Sequence, residues 1–121
     1  MARTQPFDNY IDQYEAWFRS FPIVFQSELA ALRQVVNPAL RSVEIGVGSG
    51  IFAEPSGITE GVEPSTVMAD AARRRGVTVT PGVAEELPLP DATYDLALIV
   101  TAICFVDDAE TAVREMHRIL V

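Results

Sequence analysis

The run Val43-Glu44-Ile45-Gly46-Val47-Gly48-Ser49-Gly50, followed by Gly61-Val62-Glu63-Pro64-Ser65, constrains the fold of this chain more than any other feature. An apolar segment that ends in three alternate glycines reads as a buried strand entering a tight turn. Glycine tolerates positive φ and carries no Cβ, so the backbone of such a turn can pass close to a ligand. The second segment reads as another strand with an acid at its tip. Ligands of open α/β sheets bind beyond the carboxyl ends of the strands, and an acid there can accept hydrogen bonds from both hydroxyls of a ribose. The glycine spacing narrows the choice. A dinucleotide fingerprint, G-x-G-x-x-G, needs a third glycine where Ile51 stands, and no G-x-x-x-x-G-K-[ST] loop occurs.

The rest of the chain fits alternating strands and helices. Aromatic residues Tyr10, Tyr14, Trp17, Phe18, Phe21 and Phe25 recur at helical spacing, so residues 6–36 read as helix, broken at Pro22. Residues 42–45 form strand one, and a short helix after Gly50 stops at Pro55 and Gly57. Strand two spans 61–63. A helix begins at Pro64-Ser65 and ends at Gly76. Strand three spans 77–80 and strand four 95–101. Asp107 or Asp108 caps a last helix, with Ala109, Val113, Met116 and Leu120 along its apolar side. This alternation implies a parallel sheet with right-handed crossovers.

Composition excludes several functions. The formal net charge is −8, which argues against a phosphate-binding surface for nucleic acid. The basic cluster Arg73-Arg74-Arg75 falls where a helix ends, and there it complements the helix dipole. One cysteine and one histidine preclude an internal disulfide and thiolate- or histidine-rich metal sites. No apolar run reaches the length of a membrane span and no signal-peptide core is present, so a cytoplasmic protein with no membrane partner is expected.

With Glu44 two residues before Gly46, the first run reads E-x-G-x-G-x-G. It resembles motif I of the class I S-adenosylmethionine-dependent methyltransferases. The segments 61–65, 82–89, 91–98 and 114–120 are similar to the pieces that follow in that family, in the same order and spacing. The resemblance covers roughly residues 41–121. It implies a Rossmann-like three-layer α/β fold with strand order 3-2-1-4. It also implies an N-terminal helical lid (residues 1–40) over a cofactor-binding part (residues 41–121). The cofactor it implies is S-adenosylmethionine and the partner a small-molecule methyl acceptor. The family continues into three further strands that this chain lacks, so the chain reads as a truncated domain with little or no turnover of its own. Strand four would then be a bare apolar edge, and homodimerisation through it is expected.

By the same resemblance, Gly46, Gly48 and Gly50 bring backbone against the methionine part of the cofactor, and Glu63, beside Pro64, takes the ribose. Glu44 orders the glycine turn or reaches the cofactor's ammonium through water. Relatives often place an aspartate where Val83 stands. Here the Ala84 amide is left to meet the adenine, and Glu85 either replaces the missing acceptor or is a solvated loop acid. Tyr14 is the lid candidate, whereas Trp17 packs. Thr101 follows strand four, where the acceptor would lie. Cys104, in an apolar run, is expected to be buried, His117 to be exposed, and no catalytic base is assigned. Two rivals remain: a non-catalytic methyltransferase-like interaction module, and an NAD- or nucleotide-sugar-binding enzyme.

Overall fold

The computed structural model describes residues 4–121; the first three residues of the expected lid lie outside that range. Three helices come first: α1 (Gln5–Asn9), α2 (Ile11–Ser20) and α3 (Pro22–Val35). Pro22 opens α3 at its first position, where a missing amide donor costs nothing. The break at Tyr10, between α1 and α2, has no such signal in the sequence. The strands are β1 (Ser42–Ile45), β2 (Glu60–Glu63), β3 (Thr78–Pro81) and β4 (Leu96–Ile99). Helices α4 (Ala53–Ser56) and α5 (Thr66–Arg74) fill the crossovers from β1 to β2 and from β2 to β3, a 3-10 turn spans Ile103–Phe105 after β4, and α6 (Ala109–Ile119) follows it.

All strand pairs are parallel and the order is β3-β2-β1-β4, as the alternation and the resemblance imply. Val43 and Ile45 of β1 join Val62, Tyr94, Ala112 and Ile119 under α6. Val47, Ala53, Ala69, Ala72 and Val79 pack on the other face, under α4 and α5. Phe18 and Leu29 of the first hairpin close over Ile51 and Phe52. Phe18 meets Phe52 edge-on, with ring centroids 5.1 Å apart. Phe18 and Phe25 therefore fasten α2 and α3 to the sheet layer, whereas Tyr10, Trp17 and Phe21 of the expected apolar stripe are exposed.

Several expectations are corrected. Val113 is 57% exposed; α6 buries Ala112 and Ile119, and Met116 and Leu120 of the expected stripe pack beside them. The face turned to the core lies between the two stripes that the spacing allows, so Val113 falls outside it. Cys104 is exposed, because the turn after β4 lifts it off the sheet. β4 stops at Ile99, since Thr101 takes φ +56° and leaves the strand direction. The arginine cluster does more than face a dipole. Arg73 bonds Asp70 and the Val79 carbonyl, while Arg75 bridges Glu15 of α2 and Glu54 of α4. His117 is exposed, as expected. Asp108 is the cap of α6, accepting from the Thr111 amide at 3.1 Å.

Among the described residues, Tyr94 bridges to Leu120 just before β4, and no strand pairs with the outer edge of β4. Its residues Leu96–Ile99 are half-buried. No helix of the described residues is long and apolar enough to cross a membrane.

Candidate functional site

A cleft opens at the carboxyl ends of β1, β2 and β4. Its floor is the glycine turn. Gly46, Gly48 and Gly50 take φ +72°, +60° and +80°, values that L side chains rarely adopt. Two of them serve different ends. A Cβ on Gly46 would lie 2.9 Å from that of Ala102, so its bareness lets the turn after β4 approach. A Cβ on Gly50 would meet Ala72 of α5 at 3.3 Å, and Gly50 does not line the cleft. Its lack of a Cβ serves helix packing. Gly61 serves a similar end, since a Cβ there would meet Val47 at 2.6 Å.

Glu63 ends β2 and is 7% exposed. Its Oε1 accepts from the Gly48 amide and its Oε2 from the Ser65 amide, both at 2.8 Å. The acid thus turns toward the glycine turn and clips it to the start of α5. A carboxylate has about four lone-pair sites, so each oxygen keeps acceptor capacity toward the cleft. Burial raises its pKa; the two amides oppose that, and the charge of Asp8 adds to it. Ser65 caps α5 by accepting from the Met68 amide at 3.2 Å, and its hydroxyl donates to Asp8 of α1 at 2.5 Å. Asp8 and Ser65 lie 57 positions apart, and nothing local in the sequence marks the pair.

Glu44 lies within β1, 1% exposed, and its Oε1 has no hydrogen-bond partner. Burial first, then the charge of Glu63, pushes its pKa up to about 8. It sits behind the cleft's lining, not in it. Tyr14 of α2 does line the cleft. Its phenol is held above the usual tyrosine range by burial, then by the charges of Glu44, Glu28 and Glu63. Trp17 touches Phe18 and Phe21 but stays half exposed.

Pro64, Ala84, Glu85 and Thr101 also line the cleft. Glu85 is not simply a solvated acid. Its Oε2 accepts from the Asp107 amide at 2.7 Å and the Asp108 amide at 3.2 Å. It therefore ties the loop after β3 to the entry of α6. Sequence reasoning missed Met68, Phe105 and Val106, which complete an apolar wall. Met68 carried a signal, since it follows the cap Ser65 by three positions on the helix whose start faces the turn. Among the described residues that line the cleft, none is lysine, arginine or histidine. No group of three His, Cys, Asp or Glu among the described residues is placed to hold a metal ion.

An acidic, largely apolar cleft without a described cation suits a ribose and a positively charged group better than a pyrophosphate. Residues 43–121 match the sequence model of a family described as a methyltransferase domain. The chain belongs to this methyltransferase family. A solved structure from Thermotoga maritima, described as an S-adenosylmethionine-dependent methyltransferase and possible histamine N-methyltransferase, is 50% identical and superposes with a TM-score of 0.92. The match covers 98% of this chain and 56% of that one. An uncharacterized protein of Methanocaldococcus jannaschii is 39% identical over 114 residues, which is 94% of this chain and 55% of the archaeal protein. A chloroplast 2-methyl-6-phytyl-1,4-hydroquinone methyltransferase of Oryza sativa is 31% identical over 93 residues, 67% of this chain and 26% of that protein. This methyltransferase-family chain thus spans about half the length of the first two relatives. The family match begins at residue 43, so α1–α3 lie outside it.

Proposed function

We propose that the cleft binds S-adenosylmethionine and that the protein transfers a methyl group to a small-molecule acceptor. The observation that carries this reading is Glu63. Its carboxylate reaches the glycine turn through one oxygen and the start of α5 through the other, with lone pairs left toward the cleft. A ribose diol needs two such acceptors side by side. The unpartnered Glu44 oxygen behind the turn and the absence of a cation among the described lining residues fit a ligand that is itself cationic.

Bound there, S-adenosylmethionine would supply an electrophilic methyl carbon on a sulfonium. The protein's own part is positional. Glu63 and Pro64 hold the ribose edge, Gly46 and Gly48 admit the ligand against the main chain, and Ala84 offers its amide beside the adenine. Val83, Met68 and Phe105 exclude water along the apolar wall. Tyr14 covers the cleft from the α2 side, with residues 1–40 as the lid and residues 41–121 as the cofactor-binding part. Thr101 marks the side from which the acceptor enters. An in-line displacement on an activated carbon draws much of its rate from such alignment.

Titration calorimetry with S-adenosylhomocysteine tests the reading, with NAD as comparator. Binding of the first and not of the second is expected. Glu63→Ala removes both diol contacts and is expected to weaken binding by roughly a hundredfold. No detectable binding by the native chain at millimolar ligand refutes the reading for this chain.

A second reading has one observation in its favour, the half-buried apolar edge of β4. An interaction module that forms a homodimer through that edge would be a dimer in light scattering and would keep its partners in Glu63→Ala. A monodisperse monomer counts against it.

A further inference from the structure

One wall of the cleft comes from the loop after β3, which lies outside the named strands and helices. Gly82, Val83, Ala84 and Glu85 of this loop line the cleft. Helix α6 holds the loop from both of its ends. At its entry, Glu85 accepts the Asp107 and Asp108 amides. Near its last turn, Glu115 and Arg118 grip Leu87. The Leu87 amide donates to Glu115 Oε2 at 2.8 Å, and the Leu87 carbonyl accepts from Arg118 Nη2 at 2.9 Å. The same guanidinium donates to both oxygens of Glu115, at 2.8 and 2.9 Å. Its Nη1 reaches the Leu89 carbonyl at 2.9 Å and Asp91 at 2.6 Å.

A buried amide and carbonyl must find partners, and in a sheet a neighbouring strand supplies them. Leu87 is buried in one cluster with Ala84 and Ile119, and a pair of side chains takes the place of that strand. Arginine suits the task, because its planar fork of five donors serves two carboxylate oxygens and two carbonyls together. Its hydrogen bond also holds the Glu115 carboxyl below the usual carboxylate range. The grip carries through to the cleft. Pro88 follows Leu87, and a Cβ on Gly82 would lie 2.7 Å from Pro88 Cδ.

We infer that Glu115 and Arg118 are positioning residues for the ligand: through Leu87 and Pro88 they set where residues 82–85 stand in the cleft, although neither lines it. This rests on the nucleoside reading of the cleft and adds to it a control exerted from the far end of α6.

The test titrates S-adenosylhomocysteine into the native chain, Arg118→Met and Arg41→Met. Arg41 is the control, since it makes a two-bond ion pair with Glu60 at the amino ends of the strands, away from the loop. Arg118→Met is expected to bind roughly tenfold more weakly, and Arg41→Met to stay within about twofold of the native chain. Hydrogen exchange on the same samples is expected to show the Leu87 amide losing protection in Arg118→Met, with β1 and β2 unchanged, and regaining it with ligand. Circular dichroism melting sets a temperature at which each variant is folded. Should Arg118→Met not fold, Arg118→Lys keeps the charge without the fork, and a loss of about threefold is expected. Native affinity in the folded Arg118 variant, or unchanged protection at Leu87, overturns the inference and leaves the nucleoside reading standing. An equal loss of affinity in Arg41→Met also overturns it, since that marks a general loosening of the fold. If the native chain does not bind, the nucleoside reading falls and the positioning role with it.

Discussion

Replacing Gly46 by alanine separates two kinds of cost that the glycine turn combines. At φ +72° an alanine is strained by roughly 1 kcal/mol. The lower entropy of the unfolded alanine chain offsets some of this, by about 0.4–1 kcal/mol. The new Cβ would also lie 2.9 Å from the Ala102 Cβ. That atom is fixed to the main chain, so no rotamer change relieves the contact and the turn after β4 must move. Overpacking of this kind costs about 1–3 kcal/mol. Gly57 is the control, because it has φ +82° but nothing within 4 Å of an added Cβ. Gly46→Ala is therefore expected to destabilise by about 2–3 kcal/mol and Gly57→Ala by no more than about 1 kcal/mol. Urea denaturation at one pH measures both, with unchanged m-values as the condition for comparison. Equal losses in the two variants would refute the argument that Ala102 is what forbids a side chain at position 46.

Glu44 gives a pH dependence whose sign follows from its folded pKa of about 8, above the ordinary 4.5. The folded state holds this proton where the unfolded state has released it, so stability declines as pH rises from about 4.5 to 8 and then levels. The displacement corresponds to at most about 5 kcal/mol, and Glu63, also raised, acts in the same direction. Glu44→Gln is expected to flatten the decline, seen in melting curves at pH 5 and pH 8; an unaltered difference between the two would contradict the burial argument. Ser65→Ala removes the cap of α5 and the donor to Asp8. A loss of about 1 kcal/mol is expected, with hydrogen-exchange protection falling in α1; protection unchanged over Gln5–Asn9 would show that Asp8 is not what docks that helix.

The sheet order and the glycine turn are legible because they are written locally. Backbone freedom at three alternate positions and an acid at a strand tip need no knowledge of distant partners. What is not legible depends on contacts between remote segments. Glu85 is a loop acid by every local sign, and only the return of residues 107 and 108 gives it two amides to hold. Asp8 meets Ser65 across the whole first half of the chain. Val113 escapes a local reading because the buried face of α6 is centred on Ala112 and Ile119, one position away, with Met116 and Leu120 at its margin. Cys104 escapes it because apolar neighbours in sequence do not imply apolar neighbours in space when a turn intervenes. Gly50 shows the converse: the residue type points correctly to a bare turn, but its open face turns to Ala72 and not to the cleft.

The two amides on Glu63 make that acid a fastener of the architecture whether or not a ligand ever arrives. A descendant of this chain released from any duty toward a nucleoside would still suffer on losing it, since two main-chain donors would be stranded. No such penalty protects Glu44, which costs stability where it stands. In a lineage drifting away from its ligand, erosion should therefore begin at position 44 and reach position 63 last.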